Sequence, residues 1–213
     1  GTGGTLEVTI PPSEGVEEGA IKHAGAYIVK AEYTPAGAQA GAELPNYSFT
    51  FTVTPVEVTS VTYYSGGEAL TYGALRASGE ITVTVAYADG SKAENVTAQY
   101  VSENVSTGGW LKAGSTPVKV NYAGENSDYA AVEDHDVTLS IEKLNITAKL
   151  RYAEQNGTSL TLPYIGRKGY SVEAELRFKD GDGVSARADG DFVDVQENIP
   201  ATIMLDGDDK ENY

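Results

Sequence analysis

From Ile81 to Tyr87 the side chains alternate strictly, with Ile81, Val83, Val85 and Tyr87 on one side and Thr82, Thr84 and Ala86 on the other. A period of two is the repeat of a β-strand, so this segment sets one row of side chains on a core and turns the other toward water. Asp89-Gly90 follows at once, a dipeptide suited to a tight hairpin turn. The alternation recurs at Tyr27, Val29, Ala31 and Tyr33; at Phe49, Phe51 and Val53; at Val118, Val120 and Tyr122; and at Val137, Leu139 and Ile141. It recurs once more at Tyr170, Val172, Ala174, Leu176 and Phe178, with Glu173, Glu175 and Arg177 on the opposite face. One buried face and one wet face is the pattern of antiparallel sheets. No dozen consecutive residues hold apolar positions at helical spacing without Gly, Pro or a β-branched run, and Ala36 to Ala42 is broken by Gly37 and Gly41, which suits a loop. The expected fold class is all-β.

Two seams divide the pattern. At Phe51 to Val58 one alternating strand runs through Pro55 into another, and at Val137 to Ile146 a strand passes into the next with almost no loop. Proline cannot donate to a central ladder, so Pro55 belongs at an edge or a boundary. The units expected are residues 1–55, 56–141 and 142–213. The first, at about 50 residues, buries too little to be comfortable alone and is expected to be a partial unit or a half-sandwich leaning on the second.

Charge and composition exclude several function classes. Lys and Arg total 15 against 31 Asp and Glu, a formal charge of -16, which repels phosphate backbones, so nucleic acid is not an expected partner. No apolar run approaches the roughly 18 residues that span a bilayer, and no membrane insertion is expected of this stretch. Cysteine is absent, which removes disulfides, thiolate metal sites and cysteine nucleophiles. The two histidines offer little: His135 stands among Glu133, Asp134 and Asp136 in an expected solvated loop, and His23 has no evident partner. There is no Gly-x-Ser-x-Gly elbow. No catalytic residue and no cofactor are expected, and the chain is read as a non-enzyme and a monomer.

Residues 57 to 123 carry an ordered set of features: a strand ending in Tyr63-Tyr64, a Gly66-Gly67 turn, Val-Thr-Val-Ala-Tyr-Ala-Asp-Gly-Ser from Val83, Val-Ser-Thr-Gly from Val105, Lys-Ala-Gly from Lys112, and a closing Val-Lys-Val-Asn-Tyr-Ala-Gly from Val118. This order resembles the bacterial immunoglobulin-like domain of group 3. The stretch before it is similar to the end of a related bacterial surface repeat. The stretch from about Leu144 is similar in its opening strand and its Tyr164 to Leu176 hairpin, then departs into an acidic loop. The resemblance implies tandem immunoglobulin-like β-sandwich domains of an exported bacterial protein, secreted or at the cell surface. It implies a stalk, spacer or adhesion module whose partners would be host or cell-wall proteins or glycans. The opening residues carry no signal peptide, and the export signal and anchor are expected outside this stretch. Two alternatives stay open: a carbohydrate-binding module, and an accessory domain of an exported hydrolase.

Two sets of residues stand out as candidate sites. Asp180, Asp182, Asp189 and Asp191, with Asp194 close by, gather the oxygen ligands that calcium requires. Val184, Ser185 and Asp191 stand where the helix-loop-helix calcium pattern wants other residues, and a pair of Asp-Gly turns on an acidic surface is the favoured reading. Trp110, the only Trp, with Tyr63, Tyr64 and Tyr72, could stack on sugar rings, whereas Tyr33, Tyr87, Tyr122 and Tyr170 are in phase with core positions. Asp206, Asp208 and Asp209 are expected in a frayed tail. Five Asn-x-Ser/Thr sequons, at Asn46, Asn95, Asn104, Asn145 and Asn156, are read as a consequence of Thr-rich strands. No motif selects a partner for a Lys-Asn isopeptide link at Lys119 or Lys143.

Overall fold

The computed structural model describes residues 4–17, 19–35, 47–163, 170–190, 192 and 199–213. Among them there is no α-helix. The one helical element among the described residues is a 3-10 turn at Lys210–Asn212, and none of their helices is long and apolar enough to cross a membrane. The chain divides into two compact units. The first comprises Gly1–Thr62, Thr84–Val96 and Asn121–Glu133, and the second Tyr63–Val83, Thr97–Val120 and Asp134–Tyr213.

In the first stretch, β1 (Gly4–Thr9), β4 (Gly25–Pro35) and β5 (Tyr47–Val53) form a three-stranded antiparallel sheet with β4 in the centre, and β2 (Val16–Glu17) pairs with β3 (Ala20–Ile21). The middle stretch supplies β6 (Val58–Tyr63), β7 (Leu70–Thr71), β8 (Ser78–Tyr87), β9 (Lys92–Val101), β10 (Gly114–Tyr122) and β11 (Val132–Glu142). They form one sheet in the order β6-β8-β9-β10-β11-β7. The last stretch holds β12 (Lys149–Tyr152), β13 (Gln155–Gly157) and β14 (Glu173–Glu175), ordered β13-β12-β14, and a ladder of β15 (Ser185–Asp189) with β16 (Thr202–Asp206).

The alternation at Ile81 to Tyr87 is the inner face of β8: Val83 and Val85 are fully buried, and Ile81 and Tyr87 nearly so. Asp89-Gly90 makes the β8 to β9 turn, with Gly90 at φ 86°, its amide on the Tyr87 carbonyl at 3.0 Å, and the Asp89 carboxylate accepting from the Ser91 amide at 2.9 Å. The strand read at Tyr170 to Phe178 is shorter than its alternation, because only Glu173–Glu175 finds a ladder partner, in β12.

Two strands change phase. In β9 the buried set moves from Ala93 to Ala98 and Tyr100, and in β11 from Val132 to Val137, Leu139 and Ile141. Each slip brackets a non-glycine residue at positive φ, Asn95 at 56° and Asp134 at 47°, the side-chain types that tolerate left-handed backbone best. His135 therefore lies within β11 rather than in a loop, which corrects its expected setting.

The edges of the six-stranded sheet are joined by the chain that enters it. In the first unit, Val56 donates to the Asp128 carbonyl at 2.7 Å and accepts from the Ala130 amide at 2.9 Å, while the adjacent Glu57 carbonyl accepts from Ala88 at 2.9 Å. In the second unit, the Tyr64 amide reaches the Thr82 carbonyl of β8 at 2.9 Å, and eight residues later the Tyr72 amide reaches Glu142 of β11 at 2.8 Å. The segment from Val56 to Tyr72 thus supplies the outer strand on each side of the sheet, β6 beside β8 and β7 beside β11. The pairings on the β11 side are parallel, Val56 with Tyr129 and Leu70 with Ile141. The architecture is all-β.

Leu139 is fully buried, so Leu139→Ala should lose about 2–5 kcal/mol of stability, as buried leucines generally do. Val101→Ala, at a half-exposed position of β9, should stay within about 0.5 kcal/mol. Urea midpoints of the two variants check the contrast, and equal shifts would contradict this placement of the core.

Candidate functional site

The densest polar cluster forms where three glycine-containing segments of the second unit converge: Ser106 to Gly109, Lys179 to Gly183, and Gly207 to Tyr213. Glycine permits the approach. A Cβ on Gly108 would stand 2.6 Å from Asp182 Oδ1 and 2.7 Å from the Asp180 carbonyl oxygen. One on Gly207, at φ 113°, would fall on the Gly183 carbonyl oxygen.

Two carboxylates sit at the centre of this convergence. Asp182 accepts from Ser106 Oγ at 2.8 Å, from Tyr213 Oη at 2.6 Å, and from Tyr72 Oη. Tyr213 Oη accepts from the Lys179 amide at 2.8 Å, and its ring meets Tyr72 and Phe178 edge-on with centroids 5.4 and 5.1 Å away. Burial, and then the Asp182 carboxylate to which each hydroxyl donates, push both phenols well above their usual value. Asp209, 2% exposed, accepts from the Thr107 hydroxyl, from the Thr107 amide at 3.1 Å and from the Gly183 amide at 3.0 Å. Burial opposes its ionisation, but these donors, with Lys112 nearby, outweigh that effect and hold its carboxyl below the ordinary value. Asn212, 3% exposed, extends the seam by accepting from the Ala113 amide at 2.9 Å and, through its carbonyl, from the Leu144 amide at 2.9 Å.

The expectation of a frayed tail is therefore corrected. Residues 207–213 dock through Asp209, Asn212 and Tyr213, because the buried Asp209 and Asn212 find donors there in the Thr107 hydroxyl and in the amides of Thr107, Gly183 and Ala113. The candidate calcium ligands meet different surroundings. Asp182 is engaged by hydroxyls, Asp180 is exposed, Asp189 is exposed in β15 opposite Thr202, and Asp191, like Asp194, lies outside the described residues. Among the described residues no group of three or more acidic or histidine side chains could hold a metal ion.

The aromatic residues also part company. Tyr72, 1% exposed, is a core residue bonded to Asp182, which removes it from any sugar platform. Trp110 is half-buried with the Arg76 guanidinium 3.3 Å from its ring centroid and Lys179 Nζ at 5.2 Å, and its buried Nε1 has no partner among the described residues. Arg76 is itself held by the Gly108 carbonyl at 2.7 Å. Tyr63 and Tyr64 line a shallow hollow of about 340 Å³ together with Ser65, Gly66, Leu75 and Glu80. Tyr64 is 49% exposed on its rim.

In the first unit, His23 proves to have a partner. Its Nδ1 lies 2.7 Å from Asp128 Oδ2, whose Oδ1 accepts from the Ala24 amide at 2.6 Å. The hydrogen bond to Asp128 and then its charge raise the His23 pKa above its usual value, and the hydrogen bond from His23 with that from the Ala24 amide holds the Asp128 carboxyl below the usual carboxylate value. Lys119 pairs with Asp136 at 2.7 Å and Lys143 with Glu211 at 3.5 Å, both on exposed surface.

What the cluster can do chemically is hold segments together. The reach is long, 102 residues from Thr107 to Asp209 and 110 from Tyr72 to Asp182. Only the glycines and the recurring Asp-Gly pairs hinted at it; the pairing itself has no local signature. The chain matches no protein-family model, no curated protein and no solved structure.

The Asp209 carboxyl has a folded-state pKa below its unfolded value. Its contribution to stability is thus full above about pH 4 and is lost as the pH falls through the lowered value. Asp209→Asn should cost about 1–3 kcal/mol at neutral pH, the usual range for disrupting a buried charged acceptor. The difference from wild type should shrink in urea titrations at progressively lower pH, and a pH-independent difference would show that the charge has no part in the latch.

Proposed function

We propose that this chain is a non-catalytic, force-bearing spacer of a bacterial cell-surface or secreted protein, built of tandem immunoglobulin-like domains. The observation that carries the reading is the parallel pairing of the chain entering the six-stranded sheet with the strand leaving it. Tension applied at Pro55 and at Lys143 runs along Val56 to Thr71 and along β11 in opposite senses. The bonds at Val56 and Tyr72 are then loaded in shear together rather than opened one at a time. The engaged state of Asp182 and Asp209 agrees with this, since the best-placed carboxylates tie segments together. The resemblance of residues 57 to 123 to group 3 bacterial immunoglobulin-like domains supplies the setting. High negative charge keeps such an array soluble.

Single-molecule pulling tests the reading directly, because the cysteine-free chain accepts engineered cysteines as handles. Handles at Pro55 and Lys143 should give a severalfold higher rupture force than handles at Ser78 and Val101, which unzip the β8 to β9 hairpin from its open end. Val56→Pro, which removes one donor, should lower the first force and spare the second. Equal forces in the two geometries would sink the mechanical reading.

A second reading rests on the Tyr63 and Tyr64 hollow, whose open ring at Tyr64 suits the face of a sugar. A carbohydrate-binding module should be retarded in native gels containing soluble cell-wall polysaccharide, and Tyr64→Ala should restore its mobility. Migration indifferent to every polysaccharide would leave the spacer reading alone.

A further inference from the structure

The sheet of β1, β4 and β5 has one side that is apolar throughout and largely uncovered. Its register sets Leu6 opposite Tyr33, Val8 opposite Ala31, Ala31 opposite Tyr47, Val29 opposite Phe49, and Tyr27 opposite Phe51. Paired residues, and residues two apart, point to the same side, so all of these share one face. The other face carries Glu7, Lys30 and Glu32 among threonines, with Ile28 as its one large apolar residue. The polar side is thus the ordinary solvent side of a half-buried sheet. Yet on the apolar side Leu6 is 63% exposed, Val8 60%, Tyr33 41%, Tyr47 59%, Phe49 58% and Phe51 52%.

We propose that a second copy of this chain covers that face, two such sheets packing about 10 Å apart as the layers of one sandwich in a two-fold contact. Area supports this. With about 150–250 Å² in each aromatic side chain, the half-exposed rings together with Leu6 and Val8 leave on the order of 600 Å² of apolar surface open. That is at or above the largest patch usual on a monomer, about 300–600 Å², and approaches the roughly 800 Å² per partner of a stable interface. Shape supports it as well. Val29 and Ala31 make a low central row between Leu6 and Val8 on one side and Tyr47 and Phe49 on the other, so the rings of one copy enter the trough of its partner. The face bears no charged residue, so a two-fold contact sets no like charges against each other within it. The chain's overall charge of -16 opposes association through the field outside the contact. The dimer should therefore strengthen as salt rises, the reverse of an interface held by opposite charges. It departs from the expectation of a monomer, and it stands independently of the spacer reading.

Sedimentation velocity over a concentration series, at low and high salt, tests the proposal. Wild type should move from one chain to two as concentration rises, and at lower concentration in high salt. Phe49→Lys should remain a single chain with an unchanged urea midpoint, while Thr50→Lys, on the polar side of the same strand, should still dimerise. A wild type that stays a single chain up to millimolar concentration in high salt overturns the proposal, as does a dimer that survives Phe49→Lys. Should Phe49→Lys disturb folding, concentration-dependent chemical shifts of wild type decide the question. They must fall on Leu6, Val8, Tyr33, Tyr47 and Phe51, and shifts confined to other surfaces overturn the assignment.

Discussion

Everything in the middle of this chain depends on the need to satisfy both edges of one β-sheet. An open ladder presents a row of unmet amides and carbonyls, and proteins cover such edges or close them. Here the segment from Val56 to Tyr72 serves both. Val56 bonds toward β11 while Glu57 bonds toward the end of β8, and Tyr64 and Tyr72 repeat the division in the second unit. The sense of pairing on the β11 side follows, since the entering chain runs alongside the leaving strand.

The same economy governs the polar groups. An acidic chain with many Asp-Gly pairs has abundant carboxylates, and on an open surface these are simply solvated. Asp182 and Asp209 differ because glycine lets three backbones approach closely enough for hydroxyls and amides to converge on each carboxylate. Once buried, a donor or acceptor without a partner costs about 1–3 kcal/mol, so the cluster is cooperative: each segment supplies what another would lack.

The sheet of β1, β4 and β5 shows the opposite condition. Its two faces obey the period of two as faithfully as β8 does, yet the burial that normally accompanies the pattern is missing from the large side chains of the apolar side other than Tyr27, Val29 and Val53. Alternation records which side of a strand is meant to be dry. It does not say which surface dries it.

Much of the fold was legible along the chain. The inward rows at Ile81 to Tyr87, Val118 to Val120 and Val137 to Ile141 lie where periodicity placed them, and Asp89-Gly90 turns as its side chains dictate, because strand phase and turn type are set by neighbouring residues. The phase slips at Asn95 and Asp134 are local too, but they look like ordinary polar residues until the backbone is seen at positive φ. The partners of Asp182, Asp209, His23 and Trp110 were not legible, since each lies tens of residues away and carries no pattern of its own. By itself the sequence determined an all-β chain, the inner face of its best strands and an acidic surface without thiol chemistry. Tertiary structure decided which carboxylates are buried, which aromatic rings remain open and in what order the strands of the sheet lie, because those outcomes depend on contacts between segments that local side-chain chemistry does not encode.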